Sequence, residues 1–362
     1  MKIKLPKSQL LAGIQVVHNI VPTKATLPIL SNMLCETKDT LIKLNTTDLD
    51  IGISCEIPAH IYEEGAITIP AKRFSDIIRE LPDGDVTIHA HKNNQIDIEG
   101  EKYRFKLIGL PKEEFPKFPE FKDKEAVKIK QSDLKEMIRL TAFAVSHEES
   151  RYVLNGILLE ISGHTIRMVA TDGRRMAKIE KKLSSAAHKD TAVIIPLKAI
   201  QEINRNLKDE GSVSFVVGTN QVLFDIEGVL IATRIVEGEF PNYNQVIPKE
   251  VSQKLKVQTL DFLSVLRRAH LLSTQDFQAV KFELFKDKLV VSKITPDVGE
   301  SREELEVEYG SSELMVGFNP QFFIDVLKNI DEDMTEWEFM GSDKPGILRQ
   351  GDYIYLALPM RI

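Results

Sequence analysis

The stretch Ala66-Ile67-Thr68-Ile69-Pro70-Ala71-Lys72-Arg73-Phe74-Ser75-Asp76-Ile77-Ile78-Arg79-Glu80-Leu81 decides the fold, because the chain contains it more than once. A second copy runs Ala192-Val193-Ile194-Ile195-Pro196-Leu197-Lys198-Ala199-Ile200-Gln201-Glu202-Ile203-Asn204-Arg205-Asn206-Leu207, with Pro196 placed 126 residues after Pro70. A weaker third copy spans 314–330 around Phe318-Asn319-Pro320. In each, an apolar run meets a proline and gives way to apolar residues three and four apart. That is the pattern of a strand leading into an amphipathic helix.

Other elements recur in the same order. Leu30–Leu34 matches Leu154–Leu158 at offset 124, Thr47-Asp48 matches Thr171-Asp172 at 124, and Phe115-Pro116 matches Phe240-Pro241 at 125. A helical run opens each copy: Leu10, Leu11, Ile14 and Val17, then Leu134, Met137 and Ile138, then Phe262, Leu263, Leu266 and Leu271. The period implies three modules, 1–123, 124–248 and 249–362,. Linkers are expected in Pro111–Asp123, rich in Pro, Lys and Glu, and near Ile247-Pro248-Lys249,. Each module is long enough to bury its own core. Within a module the order is strand, helix, several strands, strand, helix, several strands. Alternation in 41–45, 103–107 and 305–309 marks half-buried strands,. The fold class is α+β: three tandem similar domains, each with two helices packed on antiparallel sheets.

Composition narrows the function. Of 362 residues, 43% are hydrophobic, and no apolar run approaches the roughly 20 residues that span a bilayer,. Met1–Pro6 lacks the apolar core of a secretion signal, so the cytoplasm is the expected location,. Cys35 and Cys55 suit a reducing compartment and core positions, and are too few for a cysteine metal site,. Phosphate-loop, dinucleotide, nucleophile-elbow and zinc-helix motifs are absent from the sequence,. His147-Glu148-Glu149 reads as a solvated loop, and Asp48, Asp172 and Asp297 as turn-formers,. No catalytic residue, metal or cofactor is expected.

The net charge of −7 speaks against a simple DNA-binding domain,. It is unevenly spread: the three modules carry −2, +1 and −6, with acid gathered in Glu300, Glu303, Glu304, Glu306 and Glu308. In the repeated helices, Phe74, Ile77, Ile78 and Leu81, and likewise Ile200, Ile203 and Leu207, form apolar stripes. Lys72, Arg73 and Arg79, and Lys198 and Arg205, leave the opposite side, while Lys135, Arg139, Arg267 and Arg268 stud the opening helices. Basic faces on an acidic protein suit one surface that meets phosphates. Ordinary solvated helix faces remain the alternative. On residues alone, a non-catalytic DNA-binding protein, a nucleic-acid enzyme with a dispersed site and a protein-binding scaffold all stay open.

The stretches Thr26–Leu30, Thr47–Leu49, Pro70–Phe74, Arg151–Gly156, Ala170–Gly173, Phe240-Pro241, Gly317–Asn319 and Leu358–Ile362 together carry a resemblance. Over essentially its whole length the chain resembles the bacterial DNA polymerase III beta subunits, the sliding clamps. The resemblance implies a non-catalytic processivity factor: a head-to-tail homodimer forming a ring of six similar domains, with helices lining a hole for double-stranded DNA of any sequence. It implies as partners a replicative polymerase, a clamp loader, and other polymerases and repair proteins sharing one peptide pocket, with no membrane. By the same resemblance Lys24, Lys72, Arg73, Arg79, Arg151, Tyr152, Lys198 and Arg205 face DNA. The pocket falls to Leu154, Thr171, Gly173, Arg174, Arg175, Met176, Pro241, Val246, Asn319, Phe322, Leu356, Leu358, Pro359 and Met360. The dimer interface falls to Phe105, Leu107, Leu271, Leu272, Glu300, Glu303 and Glu304, with Arg104 and Lys106 facing the acidic strand. Glu148, Val153, Leu197 and Gln245 depart from the family pattern.

Overall fold

The computed structural model describes residues 1–24, 27–120, 126–187, 189–248 and 253–362. The expected module boundaries at Asp123/Lys124 and at Lys249 lie outside the described residues, as does Thr26. The first module contains β1 (Lys2–Pro6), α1 (Lys7–His18), β2 (Asn32–Lys38), β3 (Leu41–Thr47), β4 (Ile51–Pro58), β5 (His60–Glu63), β6 (Ala66–Pro70), α2 (Ala71–Glu80), β7 (Asp85–Ala90), β8 (Gln95–Glu99) and β9 (Arg104–Ile108). The second contains β10 (Val127–Lys130), α3 (Gln131–Thr141), β11 (Gly156–Ser162), β12 (Thr165–Thr171), β13 (Arg175–Lys182), β14 (Thr191–Pro196), α4 (Leu197–Asn206), β15 (Ser212–Val217), β16 (Gln221–Ile226) and β17 (Val229–Arg234). The third contains β18 (Gln253–Gln258), α5 (Thr259–His270), β19 (Val280–Phe285), β20 (Lys288–Thr295), β21 (Gly299–Glu306), β22 (Leu314–Phe318), α6 (Pro320–Leu327), β23 (Met334–Phe339), β24 (Gly346–Gln350) and β25 (Tyr353–Ala357).

The repeated stretch is a strand running into a helix in all three copies. Pro70 and Pro196 end β6 and β14, whereas Pro320 opens α6 behind Asn319, whose side chain accepts a hydrogen bond from Gln321 N (3.0 Å). Proline suits all three positions because the first helical N–H groups have no intrahelical acceptor to lose. The acidic strand is shorter than its alternation suggests. β21 stops at Glu306, since Glu308 turns to exchange backbone hydrogen bonds with Lys256 (3.0 and 2.9 Å).

Spatially the chain forms two compact units, and these cut across the modules. One comprises Met1–Ser132 and Lys198–Ile235, the other Asp133–Leu197 and Val236–Ile362. The cause is strand exchange at the module boundaries. In the first unit an eight-stranded sheet runs β10-β15-β16-β17-β4-β3-β2-β6, so the last strand of module two pairs with a strand of module one. In the second unit the corresponding sheet runs β14-β11-β12-β13-β25-β24-β23-β18. The remaining sheets, β5-β1-β7-β8-β9 and β21-β20-β19-β22, each belong to one module. All pairings are antiparallel, and β9 and β21 are edge strands.

Each unit has its own core. In the first, α1 and α2 pack together through Leu10, Ile14, Val17, Phe74 and Ile78, all inaccessible to solvent. Gly13 permits the close approach of α1 to the sheet: a Cβ there would sit 3.1 Å from Ile57,. Cys35 and Cys55 are buried free thiols, and burial pushes both up to about 12, which makes them inert core residues,. In the second unit Phe262, Phe282, Phe318, Phe323 and Trp337 form an aromatic core, with Phe323 and Trp337 rings 4.5 Å apart,.

Candidate partner pocket and nucleic-acid interface

The turn between β12 and β13 builds one wall of an apolar pocket. Asp172 Oδ1 accepts hydrogen bonds from Arg174 N (2.9 Å) and Arg175 N (3.0 Å), while Thr171 Oγ1 accepts from Gly173 N (3.0 Å). Asp48 does the same before β4, accepting from Asp50 N (3.0 Å) and Ile51 N (2.7 Å). Both aspartates are therefore turn-formers, and Asp297, at φ 61°, also lies in a turn. Gly173 takes φ 86°, and Arg151 Nη1 lies 2.5 Å from where a Cβ would stand. That guanidinium donates to Asp172 O (2.9 Å) and pairs with Glu148 (3.2 Å). Arg151, assigned to DNA by resemblance, thus sits at the pocket's rim.

The pocket holds about 150 Å³ and is lined by Leu154, Thr171, Gly173, Arg174, Arg175, Met176, Pro241, Val246, Leu356 and Leu358 of the expected set, and also by Asn242 and Tyr243. Four expected residues are not in its lining. Asn319 caps α6 and donates to Gln278. Phe322 is buried beneath the Arg175 guanidinium, 4.8 Å from its ring centre. Met360 N donates to Gly317 O (2.8 Å), which carries Pro359 and Met360 past the pocket, and Met360 instead lines a neighbouring cavity with Phe277, Ile294 and Ile362. Arg175 is fixed on three sides, by Asp172 (3.0 Å), Asp325 (2.6 Å) and Phe143 O (2.6 Å).

Tyr243 escaped the residue-by-residue carry-over. Its hydroxyl donates to Glu160 (2.5 Å) and accepts from Arg167 (3.2 Å), and Arg167 also holds Glu180 (2.8 Å). Burial and the Glu160 carboxylate push the phenol up to about 12, so it stays a donor. The signal lay in the repeat: Phe118, Glu36 and Lys43 stand at the matching positions of module one, and Lys43 lies over the Phe118 ring (5.7 Å).

The candidate DNA-facing residues divide between the units. Lys24, Lys72, Arg73, Arg79, Lys198 and Arg205 are exposed and belong to the first unit, while Arg151 and Tyr152 belong to the second. On α2 and α4 the cations leave the side opposite Phe74, Ile78, Ile200 and Ile203. Several are already paired with acid: Lys198 with Asp48, Arg205 with Glu202, and Arg79 with Asp76 (3.6 Å). The opening-helix cations are also engaged, Arg139 with Asp331 (2.7 Å) and Arg268 with Glu303 (2.5 Å).

At the candidate dimer edges, Phe105 and Leu107 lie on β9, and Phe105 is exposed. Leu271 follows the last turn of α5 and is 79% exposed, and Leu272 O accepts from Thr295 Oγ1 (2.6 Å). On β21, Glu303 is held by Arg268 and Glu304 by Arg302 (2.8 Å), leaving Glu300 as the exposed acid near the start of the strand. Arg104 pairs with Asp97 (2.8 Å) and Glu99 (2.9 Å) of its own sheet. The acidic strand and Arg104 therefore spend much of their charge inside their own units.

No described helix is long and apolar enough to cross a membrane, and no described cluster of three or more His, Cys, Asp or Glu is placed to hold a metal ion. Repeated two-helix modules joined by shared sheets, with a small apolar pocket, define a modular binding protein of the clamp class. Three family models match in tandem: the DNA polymerase III beta subunit N-terminal domain at 1–119, the central domain at 128–242 and the C-terminal domain at 244–361. A beta sliding clamp of Chlamydia muridarum is 31% identical, covering 100% of this chain and 99% of the relative. One from Salmonella typhimurium is 31% identical, covering both fully. The solved sliding clamp of Bacillus subtilis superposes with a TM-score of 0.96 at 29% identity over 100% of this chain and 99% of that one. That of Bartonella birtlesii, bound to griselimycin, gives 0.95 at 31% identity with both chains covered fully. This chain belongs to the DNA polymerase III beta subunit family, the beta sliding clamps. Its role is that of a processivity clamp in DNA replication.

Proposed function

We propose that two copies of this chain close head to tail into a ring around duplex DNA and tether a replicative polymerase there, with no chemistry of their own. The observation that carries this reading is the pair of edge strands β9 and β21. At both internal boundaries the last strand of one module pairs with the third strand after the opening helix of the module before it: β17 with β4, and β25 with β13. β9 and β21 are the repeat equivalents of those strands and lack such a partner within the described chain. Pairing β21 of one copy with β9 of another repeats the junction and closes a head-to-tail assembly.

The internal registers say how they should meet. Ala232 faces Gly52 at one junction and Leu356 faces Met176 at the other. Leu34, Leu158 and Lys281 occupy one repeat position, facing Thr68, Ile194 and Gly317. Carrying the registers across from there sets Lys106 of one copy opposite Glu300 of the other, and Phe105 opposite Ser301. An exposed pair of this kind adds about 0–1 kcal/mol. The strand ladder and the apolar Phe105, Leu107, Leu271 and Leu272 supply the rest.

In the same reading the domains run 1–123, 124–248 and 249–362, and the protein works in the cytoplasm. Lys24, Lys72, Arg73, Arg79, Lys198 and Arg205, with Tyr152, meet phosphates and leave the bases unread, so the ring slides. The Leu154–Leu358 pocket takes an apolar peptide segment from the polymerase, the clamp loader and repair proteins. The test is topological. Protein loaded by a clamp loader on nicked circular DNA should stay on the circle and run off once the DNA is cut. Equal retention on both forms would overturn the ring.

A further inference from the structure

Two arginines on the candidate DNA face, Arg79 and Arg205, are held by carboxylates of their own helices. Arg79 and Arg205 occupy the same position of α2 and α4, 126 residues apart, the offset of the repeat. Each has a carboxylate three residues earlier on its own helix. Arg205 Nη1 donates to both oxygens of Glu202 (2.9 and 3.0 Å), and Arg79 Nη1 stands 3.6 Å from Asp76 while Nη2 reaches Ser75 Oγ (3.5 Å). α6 has no counterpart, since its one charged residue is Asp325, which holds Arg175. Glu202 is unlike an ordinary partner in a surface helix pair. It is 6% exposed, and burial raises its carboxyl above the usual range even beside Arg205. Lys198, one turn earlier, is held from outside the helix by Asp48.

We propose that Asp76 and Glu202 tether Arg79 and Arg205 and thereby set how freely the protein slides on DNA. The inference rests on the reading that α2 and α4 face the duplex. A free arginine on a long arm follows a phosphate, displaces its counterion and adds to salt-dependent affinity. Sliding is faster when each such contact is weak, because every step along the duplex breaks and remakes it. A tethered guanidinium has much of its charge cancelled and little reach. A phosphate also cannot draw Arg205 away cheaply, because that would leave the buried Glu202 without its hydrogen-bonded partner and with only Lys198, itself held by Asp48, as a nearby cation,. The two carboxylates thus make the contact shallow while keeping the arginine in place. Removing them should strengthen DNA binding, opposite in sign to the loss expected if they aimed the arginines at phosphates.

The test uses full-length Glu202→Gln, Asp76→Asn and the double variant. Affinity for a short duplex oligonucleotide is followed by fluorescence anisotropy across a salt series, and diffusion by single-molecule tracking after loading on nicked circles. Glu202→Gln frees one guanidinium per chain and two per ring, so log K against log salt should steepen by up to about 2. Binding at low salt should tighten several-fold, and diffusion should slow by a similar factor. Asp76→Asn, at an exposed and longer pair, should move both in the same direction by less, and it carries the test if Glu202→Gln fails to fold. Adding Arg205→Ala to Glu202→Gln should cancel the gain. Unchanged or weaker binding in the carboxylate variants overturns the proposal, as does a gain that survives loss of Arg205. If wild type fails to persist on circles, the ring reading falls instead, and the oligonucleotide salt series still decides on the tethers.

Discussion

The two internal junctions share one backbone and differ in the side chains that furnish it. At each, a Thr-Asp turn leads into the paired strand, and a Phe-Pro linker segment lies nearby. Thr47 Oγ1 accepts from Leu49 N (3.0 Å) as Thr171 Oγ1 does from Gly173 N (3.0 Å), and Leu49 and Gly173 share a left-handed φ of 82° and 86°. The furnishing then diverges. Gly52 stands where the second junction has Met176, Ala232 where it has Leu356, and Arg234 where it has Leu358. The space over Gly52 is taken by the chain's own Phe118, whose ring a Cβ at Gly52 would approach to 3.0 Å. The cavity left there, about 230 Å³, is walled in part by Asp50, Lys117 and Arg234. The same backbone thus carries an apolar pocket at one junction and, at the other, a cavity edged by charged residues beside the chain's own Phe118, without changing a turn.

Exchanging side chains between the junctions should break the comparison. Leu358→Arg, borrowed from the first junction, should have the largest effect. Losing an apolar wall of the pocket should weaken an apolar partner peptide by about 1.5–3 kcal/mol, roughly ten- to a hundredfold, by fluorescence anisotropy. Since Leu358 is exposed, the melting temperature should barely move. The reverse exchange, Gly52→Met, should expel Phe118 and destabilise the first unit by about 1–3 kcal/mol in denaturant melts, with the peptide pocket unaffected. Peptide affinity falling with it would show that the junctions are coupled.

Smaller effects sharpen the contrast. Tyr243→Phe removes the hydroxyl between Glu160 and Arg167 and should loosen the pocket's linker wall, costing peptide binding about 0.5–1.5 kcal/mol. An unchanged Kd would make Tyr243 a passive filler. The smallest effect concerns Asp97 on β8, at the repeat position of Leu223 on β16. Hydrogen bonds from His91 (2.9 Å) and Arg104 (2.8 Å) hold the Asp97 carboxyl well below the usual range. A lowered folded-state pKa stabilises the fold above the ordinary carboxylate range and loses that contribution as pH falls through it. Acid melts should therefore lose stability below about pH 4, the ordinary carboxylate range. Asp97→Asn should flatten that limb while lowering stability at neutral pH.

The repeat made much of this legible. The strand–proline–helix stretch, the opening helices and the Thr-Asp turns follow from local spacing and from side chains that bond their own backbone. Ten of the residues that resemblance assigns to a pocket line one cavity. Strand exchange between modules was not legible, because β4 and β17 pair across more than 170 residues and no local period records a distant partner. Asn319 and Phe322, which resemblance assigns to the pocket, do not line its cavity, because capping of the helix and burial beneath Arg175 decide what they face. The carboxylates beside the basic residues are plain in the sequence, yet whether Glu202 is buried depends on packing that spacing does not give.

Strand exchange also imposes a counting rule. Each module added to such a chain consumes one raw edge and supplies another, so a chain of any number of modules ends with two. A single module cut free would be an open link, with β4 and β9 both seeking strands, prone to concatenate rather than to stay single. A cut in the linker at Pro111–Glu120 would sever the polypeptide while leaving β17 zipped to β4. The covalent chain is therefore not what holds the modules in sequence. It only decides which of several equivalent zippers has no thread behind it, and in the proposed ring that one is where the loop would be undone.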